Sequence, residues 1–156
     1  MTSHPSAVVL PIDGSDGALR AVEAAGVLAQ QFGVELQLVY VFSHEAVDPF
    51  GLNALGQTGK SADFIDPDLL AQIQQEKATA VFRQAEARLE AISGLSVVEV
   101  TLKGDPATQL LDYLAQQAAP WVVMGRQGKS TLKEIFIGSV SQKLIHRAGC
   151  PVTLIN

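Results

Sequence analysis

Short apolar segments alternate with segments of helical periodicity along the chain. Five of the apolar segments are nearly continuous in hydrophobic residues, which is typical of strands covered on both faces of a parallel sheet. They span residues 7–12, 36–42, 97–102, 121–124 and 151–155. The pattern therefore predicts five buried parallel strands.

The segments between these strands have the spacing of amphipathic helices. Apolar residues recur at helical spacing over residues 19–32 and 70–92, with polar residues on the other side. Asp105 followed by Pro106 predicts a capped helix over residues 107–117, and residues 140–145 predict another. We therefore expect an α/β fold, a single-domain, doubly wound, five-stranded parallel sheet of the flavodoxin or Rossmann type. Such folds bind ligands at the carboxyl ends of the strands, near the switch in strand order.

One segment, residues 43–68, interrupts this alternation. It contains several glycine and proline residues together with Asn53, which are too many breakers for a regular element. Loops of this length are usually functional or disordered. Two interpretations stay open: a surface connector, or a lid over a ligand at the same edge of the sheet.

The last third of the chain carries the strongest functional signal. The apolar segment 121–124 runs into Gly125, Gly128 follows, and after nine intervening residues Gly138 and Ser139 complete the pattern G-x-x-G-x9-G-[ST]. Glycines at such turns let backbone N–H groups approach a phosphate. Gly138, Ser139 and Val140 would present unpaired N–H groups at a helix N-terminus, with Ser139 a candidate N-cap. The spacing predicts an anion site.

Other candidate motifs are weaker. Residues 128–130 and 59–61 resemble the end of a Walker A loop, but Val123 and Ala54 stand where its first glycine belongs. His4, His44 and His146 do not have the spacing of a metal site. We therefore expect neither a P-loop nor a metal ligand set.

Composition narrows the class of protein further. The net charge of -5 and the pI near 5.1 argue against nucleic-acid binding through a broad basic surface. No apolar run approaches the roughly 20 residues of a membrane span, and the N-terminus does not have the pattern of a signal peptide. We expect a cytoplasmic protein without membrane contact. Its one cysteine, Cys150, is expected to be a small buried hydrophobe.

Three segments together resemble the universal stress protein family, specifically its ATP-binding branch. They are the glycine pattern, the opening sequence at residues 9–15 and the closing sequence at residues 150–155. The resemblance implies one universal stress protein domain over residues 1–156 and the strand order 3-2-1-4-5. It also implies ATP as ligand, with AMP or ADP as alternatives, and Mg²⁺ as an ion that could arrive with the nucleotide.

The resemblance further implies a nucleotide site. Asp13 would lie near the adenosine, Pro11 and Val41 would line the adenine pocket, and Gly125 and Gly128 would border ribose and phosphate. Each of these residues also has a purely structural interpretation. Asp13 and the glycines could simply form turns, and the apolar residues could simply pack in the core. Arg126 and Lys129, which could pair with phosphates, could instead be solvated surface charges. The complete set is Pro11, Ile12, Asp13, Val41, Met124, Gly125, Arg126, Gly128, Lys129, Gly138, Ser139 and Val140.

The predicted function is that of a nucleotide-responsive regulatory protein with an unidentified protein partner. We expect a homodimer formed through the C-terminal strand, because residues 151–155 carry no charge that would discourage edge pairing. No evident base is paired with a nucleophile, which favours a noncatalytic role. Slow ATP hydrolysis or self-phosphorylation is one alternative, and a dimeric interaction module with a vestigial pocket is another.

Overall fold

The structure, a computed structural model, describes residues 4–43, 66–126 and 137–156. Within these ranges strands and helices alternate along the chain. In order they are β1 (Ala7–Pro11), α1 (Asp16–Phe32), β2 (Glu35–Phe42), α2 (Pro67–Leu89), β3 (Val97–Lys103), α3 (Pro106–Ala115), β4 (Pro120–Gly125), α4 (Ser139–Arg147) and β5 (Val152–Ile155).

The strands form one parallel sheet in the order β3-β2-β1-β4-β5. The chain moves outward from β1 through β2 to β3, then crosses back to β4 beside β1 and ends at β5. The strand order therefore reverses between β1 and β4. The five-stranded α/β fold and its strand order are confirmed.

The ladder between β1 and β4 is short at its carboxyl end. Its last pair is Val9 with Val122, although β4 continues to Gly125. The N–H of Ile12 donates to the carbonyl of Val39 at 2.9 Å. The backbone N–H and C=O groups of even-numbered residues in β1 therefore point toward β2, and the backbone of Pro11 points toward β4. Proline has no N–H to donate. The ladder thus ends where the strand order switches.

Two apolar clusters cover the two faces of the sheet. On one face α1 and α2 pack against residues such as Leu10, Leu38 and Val123. On the other face α3 and α4 pack against Val39 and Val122. The central strands are buried on both sides, as their continuous apolar sequences predict.

The helix boundaries differ in part from those predicted. The helix predicted over 70–92 begins at Pro67, with Asp66 as N-cap, and ends at Leu89. Ile92 lies beyond it in a turn and still packs against the core. The helix predicted over 107–117 ends at Ala115, although its cap at Asp105 is confirmed. Residues 44–65, which make up most of the predicted connector or lid, lie outside the described residues.

The edge strands are less covered than predicted. In β3 the side chains of Glu99, Thr101 and Lys103 are exposed, and the residues of β5 are only half-buried. The expectation of burial on both faces was wrong for these two strands, because a strand at the edge of a sheet has helices over only part of its width.

At the amino ends of the strands, aromatic residues join β4, α1 and β5. The rings of Phe32 and Trp121 lie 5.6 Å apart, and His4 meets Phe32 edge-on at 5.4 Å. The indole N–H of Trp121 donates to the hydroxyl of Thr153 at 2.9 Å. Trp121 thus joins the last helical turn of α1 to the edge strand.

Candidate functional site

The candidate site lies at the carboxyl edge of the sheet, where β1, β4 and the start of α4 meet. The end of β4 and the start of α4 are joined by a hydrogen bond from the N–H of Gly138 to the carbonyl of Arg126, 3.0 Å long. The N–H of Arg126 donates to the carbonyl of Ile155 at 2.9 Å. The Arg126 backbone therefore links the edge strand to the first turn of α4.

The first turn of α4 begins one residue earlier than the predicted cap. Gly138 is the N-cap, with φ −58° and ψ 155°, and no side chain caps the helix. The prediction of Ser139 as N-cap was therefore wrong. The expectation of an unpaired N–H at Gly138 was also wrong, because that group donates to Arg126. The N–H groups of Ser139 and Val140 find no acceptor inside α4, as at any helix start.

Gly125 has a packing role that the glycine pattern did not reveal. A Cβ built on it would lie 2.5 Å from the carbonyl carbon and 2.6 Å from the oxygen of Gly17. These are backbone atoms of α1, so a side chain at position 125 could be accommodated only if the backbone of β4 or of α1 moved. The end of β4 approaches the backbone at the start of α1 closely because Gly125 has no side chain.

Ser141 is a polar residue of the site region that sequence reasoning missed. It is 3% exposed, and its hydroxyl donates to the carbonyl of Gly125 at 3.3 Å. Helical periodicity marks Ser141 only as part of α4. Nothing in the sequence shows that a strand carbonyl 16 residues earlier would need a donor.

Asp13 is held in a turn at the end of β1. One of its carboxylate oxygens accepts the N–H of Ser15 at 2.9 Å, and the Ser15 hydroxyl caps α1 by accepting the N–H of Ala18. Gly14 between them has φ +80°. The turn role considered for Asp13 is therefore present. Because a carboxylate has two oxygens, this turn is compatible with a ligand contact.

Tyr40 on β2 is buried, and the rings of Phe42 and Phe82 have their centroids 5.2 and 6.4 Å from its own. Burial raises the pKa of its phenol, and the negative charge of Asp13 raises the pKa further. Tyr40 therefore stays protonated well above neutral pH.

Most of the predicted apolar residues share one face of the sheet. Val41, Met124 and Val140 pack into the cluster under α3 and α4, and Pro11 shares the orientation of Val9 in that cluster. The side chain of Ile12 instead lies in the cluster under α1 and α2. Its contribution to this edge is its backbone. Gly128 and Lys129 lie outside the described residues.

Charges at this edge also come from the start of α3. Asp105 accepts hydrogen bonds from the N–H and the hydroxyl of Thr108 at 2.9 and 2.8 Å. These bonds lower the pKa of Asp105, and the Lys143 ammonium on α4 lowers the pKa further. The electrostatic contact indicates that the Lys143 side of α4 faces α3.

Two further candidate features are not found in the described parts of the chain. Over residues 4–43, 66–126 and 137–156, there is no group of three or more histidine, cysteine or acidic side chains suited to a metal ion. Within the same ranges, no helix combines the length and the apolar character needed to cross a membrane.

Comparison with known proteins gives the family. The sequence profile of the universal stress protein family matches residues 6–156. The chain belongs to this family. Universal stress protein MJ0531 of Methanocaldococcus jannaschii is 34% identical over 149 residues, which cover 95% of this chain and 80% of that protein.

Solved structures of family members share the fold. Protein MJ0577 of M. jannaschii superposes with a TM-score of 0.76 at 22% identity, covering 98% of this chain and 96% of that chain. A universal stress protein in complex with cAMP gives 0.68 at 23% identity, covering 99% and 98%. One from Archaeoglobus fulgidus in complex with dAMP gives 0.59 at 21%, covering both chains fully. At these identities the likeness shows the fold.

Proposed function

We propose that this universal stress protein binds an adenine nucleotide, with ATP as the first candidate and AMP or ADP as alternatives, and acts as a nucleotide-responsive regulator. The observation that carries the proposal is the first turn of α4 beside the switch in strand order. The N–H groups of Ser139 and Val140 have no acceptor within the helix, and the helix dipole favours negative charge at this end. The family's cAMP and dAMP complexes support adenine nucleotides as the ligand class.

The remaining residues supply the rest of the proposed site. Pro11, Val41 and Met124 form an apolar wall suited to adenine. Asp13 lies near the adenosine, and Gly125 borders the ribose. Gly138, Ser139 and Val140 surround the phosphates, with Gly128 and the cations Arg126 and Lys129 near them, and Ile12 contributes its backbone. Mg²⁺ would neutralise part of the phosphate charge.

We further propose a homodimer formed through β5. The N–H groups of Val122 and Arg126 donate to the carbonyls of Pro151 and Ile155, so odd-numbered residues of β5 face β4. The backbone groups of Val152 and Leu154 therefore face outward, and neither side chain is charged. An unidentified protein partner, a cytoplasmic location and a single domain over residues 1–156 complete the proposal.

Native mass spectrometry of freshly purified protein tests the ligand and the dimer together. The expected result is a dimer carrying adenine nucleotide. A dimer that binds none of ATP, ADP and AMP on addition would instead favour an interaction module with a vestigial pocket. Turnover of ATP that is lost on substitution of Asp13 or Ser139 would favour the enzyme alternative.

Substitution of Gly138 by valine tests the phosphate end of the site. We expect Gly138→Val to weaken ATP binding about 100-fold or more, a loss of about 3 kcal/mol, because the side chain would fill the phosphate volume. Gly138 has φ −58°, which any residue adopts, so the fold should survive. Calorimetric titration measures the affinity, and circular dichroism checks the fold. Gly138→Ala serves as a graded control, and an unchanged affinity in folded Gly138→Val would exclude this turn from the site.

A further inference from the structure

Two successive carbonyls at the end of β4 each accept a hydrogen bond from the start of α4. The carbonyl of Arg126 accepts the N–H of Gly138, and the carbonyl of Gly125 accepts the hydroxyl of Ser141. The first bond is made by the backbone and does not depend on a side chain. The second depends on one serine hydroxyl.

The Gly125 carbonyl needs this donor because the sheet does not supply one. Even-numbered residues of β4 face β5, so the backbone groups of Gly125 face β1. The β1–β4 ladder ends at the pair Val9 and Val122, three residues before Gly125. The carbonyl therefore opens into the gap at the switch in strand order, and Ser141 supplies its hydrogen bond.

Ser141 is the third residue of α4, directly after Ser139 and Val140. Its hydroxyl bond acts together with the backbone bond from Gly138 to Arg126 to hold the first turn against β4, and hence influences where the N–H groups of these two residues point. The same bond offsets the negative end of the Gly125 carbonyl dipole, which would otherwise face an approaching anion. Both effects act on phosphate groups and neither acts on an adenine ring.

We propose that Ser141 is a positioning residue for the phosphate chain of the ligand. It acts through the first turn of α4 and the Gly125 carbonyl, and it sets the affinity for phosphorylated nucleotides without changing the affinity for adenosine. This inference rests on the proposed nucleotide-binding function. It adds a residue that lies outside the glycine pattern.

Titration of adenosine, AMP and ATP into wild-type protein and Ser141→Ala tests the proposal. We expect Ser141→Ala to lower ATP affinity about ten-fold, to lower AMP affinity less, and to leave adenosine affinity within about two-fold. Ser141→Thr keeps the hydroxyl and should restore ATP affinity. Where Ser141→Thr does not fold, Ser141→Cys, with its weak S–H donor, should give an intermediate loss.

Thr79→Ala is the matched control. The Thr79 hydroxyl also donates to a backbone carbonyl, that of Gln75 at 2.9 Å, but on the exposed part of α2. Thr79→Ala should leave the affinities for adenosine, AMP and ATP unchanged. Equal losses of affinity for adenosine and ATP in Ser141→Ala, or no loss of ATP affinity in the folded variant, would overturn the proposed role of Ser141. Either result would leave the proposed nucleotide-binding function standing. Failure of the wild-type protein to bind any of the three ligands would overturn the proposed function and this inference with it.

Discussion

At the scale of single residues, Gly125 lies where a side chain would strike the backbone of α1. A Cβ at this position would lie 2.5 Å from the Gly17 carbonyl carbon and 2.9 Å from the Ala18 nitrogen. This contact is sufficient reason for glycine at the end of β4, whatever ligand binds nearby. A glycine pattern that indicates a phosphate site can therefore also reflect packing between chain segments.

We expect Gly125→Ala to destabilise the fold by at least about 2 kcal/mol, because two backbone segments must move apart to admit one methyl group. Urea denaturation of the apoprotein measures the free energy of unfolding. Gly94→Ala is the control, since Gly94 has φ +71° but no atom within 4 Å of an added Cβ. It should cost only the backbone strain, about 1 kcal/mol. An equal cost for both variants would mean that the clash at Gly125 is relieved by relaxation.

The sequence indicated the residue types at this edge but not their bonds. Asp13 at the end of an apolar strand and Gly138 before a helix are visible as patterns, and the structure brings both to the same edge. The donors to the carbonyls of Gly125 and Arg126 are not visible, because hydrogen-bond partners far apart in sequence depend on how β4 and α4 meet. The misplaced cap at Ser139 has the same cause, since no side-chain bond marks the true one.

At the scale of elements, Asp105 fixes the start of α3. Its carboxylate accepts two hydrogen bonds from Thr108, one from the backbone and one from the hydroxyl. Pro106 follows in the first helical position, where its missing N–H costs nothing. These two residues were sufficient to predict this helix start from the sequence.

We expect Asp105→Ala to destabilise the fold by about 1 kcal/mol at neutral pH through loss of the cap. The folded pKa of Asp105 lies below its unfolded value, so its contribution is present above about pH 4 and is lost as the pH falls through the folded pKa. Urea denaturation near pH 7 and near pH 3 measures both effects. Asp112→Ala, at an exposed position of the same helix, is the control. A difference between wild type and Asp105→Ala that is the same at both pH values would contradict this account.

Element interiors were easier to predict than element limits. The apolar content of β1, β2 and β4 marked them because they are covered on both faces. The end of α2 was placed too late because Ile92 keeps the apolar spacing and packs on the core from a turn. Periodicity reports which residues are buried, and a turn after a helix can bury a residue as well as the helix does.

At the scale of the whole molecule, the two edges of the sheet differ in charge. In β3, the carbonyl of Ser96 and the N–H of Gly104 bond to β2. The backbone N–H and C=O groups of residues 97, 99, 101 and 103 therefore point outward from the sheet edge. Two of these, Glu99 and Lys103, are charged. The outward residues of β5 are Val152 and Leu154. Charges discourage edge pairing, so β5 is the edge better suited to a second copy.

We expect Leu154→Pro and Leu154→Lys to give monomers, because the first removes an outward N–H and the second adds charge to the edge. Thr153→Pro would not test the dimer. The N–H of Thr153 points toward β4 and its hydroxyl accepts the indole N–H of Trp121, so the substitution would disturb the fold itself. Light scattering at micromolar concentration measures the oligomeric state. Thr101→Pro, which removes an outward N–H from the opposite edge, is the matched control and should leave the dimer intact. If both Leu154 variants are folded and still dimeric, the dimer interface does not lie at β5.

The strand order was predicted through family resemblance and not through the sequence pattern. Alternating strands and helices define an α/β fold, but they do not say on which side of β1 the chain places β4. Pro11 was chosen as a pocket residue, whereas its missing N–H also ends the β1–β4 ladder at the switch point. That second role depends on which neighbour each strand faces, so it emerged only from the sheet.

The bond between Trp121 and Thr153 gives the protein an optical reporter of its own. Trp121 is the only tryptophan in the chain, so its fluorescence comes from one place. Its indole bonds to the edge strand while its ring contacts Phe32 at the end of α1. Emission from the unlabelled protein therefore reports on β5, and events at that edge can be followed in solution without attaching a dye.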